Sequence, residues 1–378
     1  MTKIFNRSVA EATRLTRTGK LGEATALLQN LLSGKTAQQE PRPAPKSALE
    51  GPLIEGSVVK PLVPDLPNLF DRFAEALTPV ELRTRKASNM AGDGGNAPGS
   101  FVSGSFSNSA GTRTYKLYTP TVRTGGARPL IVMLHGCTQS PDDFAAGTRM
   151  NVCAEEHECF VLYPEQTTSA NASKCWNWFN SSDQVRDQGE PSLIAGLTRD
   201  VITKHAINTS RVYVAGLSAG GAAAAVLGEA YPDIYAAIGV HSGLACGAAR
   251  DMSSAFIAMS GQGATSQAPR KANTLFVPTI VFHGDRDQTV HPRNGAEVVA
   301  RAAELSNLQS TTDTGTASGR SYTRCVHRNK NGQCVMEEWI VHGGGHAWSG
   351  GSPSGSFADA KGPDASREML RFFLKQTR

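Results

Sequence analysis

The chain has 378 residues, 39% of them apolar and 19% charged, with a formal net charge of +5. This is the composition of a folded globular protein and excludes collagen-like and wholly disordered chains. Much of the basic excess lies near the N-terminus, in Arg7, Arg14, Arg17 and Lys20. No aromatics interleave with these residues as they would in a nucleic-acid footprint, so they read as a solvated face and no nucleic-acid partner is expected.

In chain order, residues 8–33 place Val9, Ala12, Leu15, Leu21, Ala24, Leu27, Leu28 and Leu31 at helical spacing, with Gly19 and Gly22 interrupting and Gly34 ending the pattern. Residues 1–34 are therefore expected to form an amphipathic helical arm that packs on the protein or docks a partner. The arm has basic residues but no continuous apolar h-region, so no signal peptide is expected and the cytoplasm is the default compartment. No run of about twenty apolar residues occurs anywhere, so no membrane span is expected. Residues 35–110, rich in proline and then in glycine and serine, read as a linker or surface strap, and the compact domain, assigned to 111–378, is expected to begin near Phe101 or Arg113.

From there strand-like runs fall at 113–119, 130–136, 159–164, 211–216, 236–241, 279–284 and 336–343, with helical spacing around 142–156, 192–206, 219–231, 294–306 and 365–375. Strands separated by helices need crossover connections, so the expected class is α/β with a mostly parallel sheet covered on both faces. The polar run 307–321 is expected to be a loop. Seven cysteines leave at least one unpaired. Cys325 and Cys334 flank a segment containing Asn331-Gly332, a hairpin turn signal, and are expected to bridge. Such a bridge points to an oxidising compartment, against the cytoplasmic default. Oligomeric state is not legible.

Chemistry concentrates in a few motifs. In "RVYVAGLSAGG", Ser218 follows a strand and precedes a small-residue helix, with Gly216 and Gly220 flanking it. Strand, sharp turn and helix form the setting of a nucleophile elbow, although the same residues would also suit a structural turn. A serine nucleophile needs a base and a carboxylate to orient it. The loop after "TIVFHG" offers Asp285 and Asp287. Asp285 directly follows Gly284 and is expected to cap or brace the turn, which favours Asp287 as the acid. His346, after three glycines in a mobile loop, is the expected base, while His342 ends a strand and is expected to pack. Oxyanion donors are expected from the amides of Ala219 and Cys137. His135 reads as a buried structural histidine. Trp176, Trp178 and Phe179 crowd one polar loop; they serve either as an apolar platform beside a pocket or as packing, and Trp176 and Trp348 are taken as candidate substrate contacts. No paired zinc-ligand spacing and no phosphate-binding glycine motif occurs, so no metal or other cofactor is expected.

The motifs "LHGCTQSPDDFA", "CWNWF", "RVYVAGLSAGG", "FHGDRDQTVHP" and "GGGHAWSGG" together resemble the polyhydroxyalkanoate (PHB) depolymerase family esterases, an α/β-hydrolase group that also includes feruloyl and acetyl-xylan esterases. The resemblance covers about residues 110–375. It implies an α/β-hydrolase fold, a Ser218, His346 and Asp287 triad, an oxyanion loop at Cys137 and hydrolysis of short-chain esters or polyesters of hydroxy acids. The alternatives are a feruloyl or acetyl-xylan esterase and a catalytically silent binding protein that inherited its triad. Dedicated extracellular depolymerases usually carry a signal peptide and a polymer-adsorbing domain. Neither is read in this sequence, which argues against insoluble granules as substrate.

Overall fold

The computed structural model describes residues 97–121, 125–263, 275–303 and 308–378. The expected helical arm and most of the expected strap lie outside the described residues. Strands β3 (Arg128–Leu134), β4 (Phe160–Pro164), β6 (Ala237–His241) and β7 (Thr279–Gly284) are buried along their whole length. Uninterrupted apolar runs of this kind are what a strand covered on both faces requires. With β5 (Ile207–Leu217) and β10 (Cys334–Val341) they form a parallel block in the order β4-β3-β5-β6-β7-β10. Antiparallel β2 (Gly111–Thr119) and β1 (Ser100–Asn108) extend one side of the block, and β9 (Arg320–Arg328) and β8 (Gln309–Ala317) extend the other.

Helices fill both faces, as the alternating pattern requires. Helices α3 (Gly189–Lys204), α4 (Ala219–Ala230) and α6 (Arg293–Ala303) contribute to one core with α5 (Met252–Met259). The other core holds α1 (Pro141–Thr148), α2 (Met150–Glu156) and α7 (Ala365–Phe373). Two short strands, β11 (Trp348–Ser349) and β12 (Ala358–Asp359), make a small separate sheet. Among the described residues no helix is long and apolar enough to cross a membrane.

Three expectations are corrected here. The sheet begins at Ser100, beside the earlier of the two expected starts and inside the expected strap, so the compact fold starts before residue 111. The expected loop at 307–321 contains β8. Both β1 and β8 are edge strands with most side chains in solvent, so neither carries the apolar alternation by which a half-buried strand announces itself. The third correction concerns Cys325 and Cys334, which are both free thiols. The hairpin does form, but Cys334 lies opposite Arg328 and Cys325 opposite Glu338. Cys325 is thus displaced by about 10 Å along the strand at ~3.3 Å per residue, beyond the reach of a disulfide. The bridge in the structure joins Cys137 to Cys175 instead.

Candidate active site

Ser218 sits where β5 turns into α4, with φ 57° and ψ −120°. An L-residue in that region carries roughly 1–3 kcal/mol of strain and persists only where its surroundings enforce it. They do so here through close backbone packing. A Cβ at Gly216 would overlap the carbonyl of Gly220, and one at Gly220 would overlap the carbonyl oxygen of Leu134 at the end of β3. The Ser218 N–H donates to His241 O at 2.9 Å, and its carbonyl accepts from Ala222 N–H at 2.9 Å to open the helix.

Asp287 and His346 meet across the carboxyl ends of β7 and β10. His346 Nδ1 lies 2.7 Å from Asp287 Oδ2. The other carboxylate oxygen accepts the N–H groups of Thr289 and Val290, each at 2.9 Å, which anchors Asp287 to its own loop. A second histidine that the sequence did not single out, His283, is buried beside it. Its Nε2 is 2.8 Å from Val290 O and 3.4 Å from Asp287 Oδ2. Burial alone would raise the Asp287 pKa, but the His346 charge and the hydrogen bonds from His283 and His346 hold it well below the usual carboxylate range. The other aspartate, Asp285, braces the turn as expected. It accepts from Gly343 N–H at 2.7 Å and pairs with His342 Nδ1 at 2.9 Å, so His342 is half-exposed and paired rather than packed away.

Ser218 and His346 line one cavity of about 350 Å³, together with Ala219 and Cys137. Among the described residues the N–H groups of Ala219 and Cys137 have no acceptor. The Cys137 loop is fixed from several sides. Gly136 N–H donates to Gln139 Oε1 at 2.9 Å, Thr138 N–H donates to Ser173 O at 2.7 Å, and the disulfide ties Cys137 to Cys175. The segment carrying Cys175 is itself held by buried Glu190, whose carboxylate accepts from Asn177 N–H at 2.6 Å, from Asn177 Nδ2 at 2.8 Å and from Gln166 Nε2. A fourth bond to that carboxylate comes from Arg113 Nη2 at 3.2 Å, and nothing in the sequence marks Glu190, because its partners Arg113, Gln166 and Asn177 come from three separate segments.

His135 is the buried structural histidine expected. Its Nδ1 donates to Gly136 O at 2.7 Å, Nε2 accepts from Gln166 N–H at 3.1 Å, and burial pulls its pKa down to about 4. His241 has the same character. Its Nε2 accepts Ser349 N–H at 3.0 Å, and burial, with smaller contributions from neighbouring histidines, lowers its pKa to about 3.

The two tryptophans taken as substrate contacts are both packing residues. Trp176 is 0% exposed and donates its indole N–H to His135 O at 3.1 Å. Trp348 is 1% exposed, donates to Ser366 Oγ at 3.0 Å and stacks on His241. Neither lines the cavity. The cavity's aromatic lining includes instead the adjacent Trp178 and Phe179, together with Phe256 of α5, and Met259 of α5 lines it too. An indole whose N–H finds a protein acceptor can be buried whole, and that acceptor lay outside the local sequence. Among the described residues His346 is the one titratable side chain on the wall, and no group of three or more His, Cys, Asp or Glu is arranged to hold a metal ion.

A family model described as esterase PHB depolymerase matches residues 113–324, more than half of the chain. The chain belongs to this family. Poly(3-hydroxyalkanoate) depolymerase C of Paucimonas lemoignei is 33% identical over 227 residues, covering 58% of this chain and 54% of that relative. Feruloyl esterase B of Thermothelomyces thermophilus is 26% identical over 222 residues, covering 53% of this chain and 72% of the relative. The chain thus spans about half the length of the depolymerase relative. Among solved structures, an acetyl xylan esterase from Aspergillus awamori superimposes with a TM-score of 0.55 at 16% identity, covering 75% of this chain and 98% of the other. That likeness establishes the shared α/β-hydrolase fold.

Proposed function

We propose that the chain is a serine carboxylic-ester hydrolase that works through an acyl-enzyme on Ser218. The observation that carries this reading is the 2.7 Å contact between Asp287 and His346 beside a cavity into which the strained Ser218 also opens. In the mechanism, Ser218 Oγ attacks the ester carbonyl while the neutral imidazole of His346 takes its proton. Asp287 holds that imidazole through Nδ1 and stabilises the cation that forms. The N–H groups of Ala219 and Cys137 receive the developing oxyanion. His346 then passes its proton to the leaving alcohol, and a water activated by the same base releases the acid. Atoms and charges balance with these groups, so the cycle requires no cofactor.

Among the described residues the wall is largely apolar and carries no fixed charge, which suits an uncharged acyl group. With the depolymerase relatives, this supports short-chain esters and polyesters of hydroxy acids as substrates. Trp178, Phe179 and Phe256 on that wall favour a second reading, an aromatic acyl group of the feruloyl type, while an acetyl-xylan ester has only the relatives' names behind it. A silent binding protein would have no need to keep a strained serine and an intact acid–base pair. The Cys137–Cys175 bridge supports an oxidising compartment rather than the cytoplasm. Hydrolysis of p-nitrophenyl butyrate tests the reading: Ser218→Ala is expected to lower kcat at least ~10³-fold in a folded protein. Near-normal turnover would remove Ser218 from the mechanism. A panel of 3-hydroxybutyrate oligomers, methyl ferulate and acetylated xylan then separates the substrate readings.

A further inference from the structure

Two aspartate–histidine pairs, not one, join the loop after β7 to the loop after β10. The inner pair is Asp287–His346; the outer is Asp285–His342. Between His342 and His346 lie Gly343, Gly344 and Gly345. Gly343 adopts φ +71°, and a Cβ at Gly345 would meet nothing within 4 Å. Three consecutive glycines have the greatest backbone freedom a chain can have, and within the loop only short-range bonds oppose it, from Gly344 N–H to Val341 O at 3.1 Å and from Ala347 N–H to Gly345 O at 3.0 Å among the described residues.

Further restraint comes from outside the loop: Arg286 N–H donates to Gly344 O at 2.9 Å, and Asp285 supplies two more bonds. Its Oδ1 accepts Gly343 N–H at 2.7 Å, while its Oδ2 pairs with His342 Nδ1 at 2.9 Å. His342 Nε2 is in turn 2.9 Å from Thr323 Oγ1 on β9. Arg320 donates to Gly343 O at 2.6 Å and, at 2.7 Å, to Asp359. Burial alone would raise the Asp285 pKa, but hydrogen bonds from His342 and Gly343 take it below its ordinary value, so it is ionised at neutral pH. The Asp285 and His342 side chains are 37% and 39% exposed, and an exposed pair of this kind contributes little to global stability.

We infer that Asp285 is a positioning residue for the reaction: by gripping His342 and Gly343 it fixes the glycine loop, and so sets where His346 presents its free nitrogen in the cavity. Asp285 itself does not line that cavity. The inference rests on the triad reading above. A misplacement of ~1 Å in a reacting group can cost ~10²-fold in rate, so the effect should appear in kcat and leave ground-state binding alone.

Asp285→Ala is expected to lower kcat on p-nitrophenyl butyrate by roughly 10- to 100-fold with KM within about twofold. Asp285→Asn should recover to within about threefold of wild type. The amide keeps an acceptor for Gly343 N–H, and its own N–H can donate to His342 Nδ1 once that ring takes the other tautomer and donates to Thr323. His342→Ala breaks the same grip from the other side. The double variant with Asp285→Ala should therefore be no slower than the worse single variant, since partners in one interaction are not additive. Wild-type kcat in Asp285→Ala, fully additive losses, or a loss that asparagine does not recover would each overturn the inference. If Asp285→Ala does not fold, His342→Ala and Asp285→Asn decide alone: a wild-type kcat in the first or a full loss in the second overturns it. Ser218→Ala runs beside them. An active Ser218→Ala overturns the triad reading and this inference together, whereas an inactive Ser218→Ala beside a fully active Asp285→Ala overturns the positioning role alone.

Discussion

Replacing Asp287 by asparagine removes one charge and reverses one hydrogen bond, and the structure dictates which one. Two backbone N–H groups, of Thr289 and Val290, point at Oδ1 from 2.9 Å and can only donate. The asparagine oxygen must therefore stay there, and the amide NH₂ takes the place of Oδ2, 2.7 Å from His346 Nδ1 and 3.4 Å from His283 Nε2. From that place the NH₂ donates to Nδ1, which forces the imidazole proton onto Nε2. That nitrogen can no longer accept the proton of Ser218. A triad locked in the wrong tautomer loses up to ~10⁴ in kcat, or about 5 kcal/mol of transition-state stabilisation. KM should change little, because Asp287 is buried behind the base and does not line the cavity. Initial rates on p-nitrophenyl butyrate between pH 6 and 9, alongside a thermal melt, measure the effect. A folded Asp287→Asn enzyme with kcat within tenfold of wild type would refute the assignment of the acid.

Cys175→Ser, or reduction of the wild type, cuts the link between the Cys137 loop, whose N–H is proposed to receive the oxyanion, and the cavity wall. A fall of roughly tenfold in kcat is expected, less than loss of a whole donor, because Thr138 and Gly136 still hold the loop through their own hydrogen bonds. Denatured, unreduced protein should titrate with five thiols, Cys325 and Cys334 among them; a count of three would restore the hairpin bridge, and an unchanged kcat after verified reduction would refute the coupling. Acid should destabilise the fold early. His135 and His241 have folded pKa values of about 4 and about 3, below the ~6.5 of an unfolded chain, so between pH 6.5 and 4 the unfolded state binds more protons and stability falls as pH drops. Each buried histidine contributes up to ~1.4 kcal/mol per pH unit in that window. The depressed carboxyl of Asp287 adds its own loss only below the unfolded value of ~3.9. Urea midpoints at pH 7, 6 and 5 test this, and a flat series would contradict it.

The parallel core was readable because β3, β4, β6 and β7 carry unbroken apolar runs. Ser218, Asp287 and His346, the proposed triad, stood out because each follows a strand of the parallel block, β5, β7 and β10 in turn, where loop chemistry repeats from one α/β fold to another. Elsewhere local sequence had little to offer. The serines and glycine of β1 and the threonines of β8 match edge strands that the pattern cannot distinguish from loops. Pairing of Cys137 with Cys175 depends on how a 38-residue excursion returns, which spacing does not encode. Trp176 and Trp348 looked available until His135 O and Ser366 Oγ, remote in sequence, supplied their acceptors. Asp285 and Asp287 differ in their partners, His342 and Gly343 for the first and His346 for the second, through the length of the turn after Gly284.

The disulfide makes one side of the cavity a single mechanical part. Cys175 belongs to the substrate wall, yet its sulfur is bonded to the residue whose N–H is proposed to receive the oxyanion. Widening the pocket from the Asn171–Phe179 side would drag that donor along, so gains in substrate range there would be repaid in slower chemistry. Helix α5, which also lines the cavity, has no such bond to the Cys137 loop among the described residues. Divergence of substrate preference, whether by natural drift or by directed evolution, therefore has its freer path through Met252, Ala255, Phe256 and Met259.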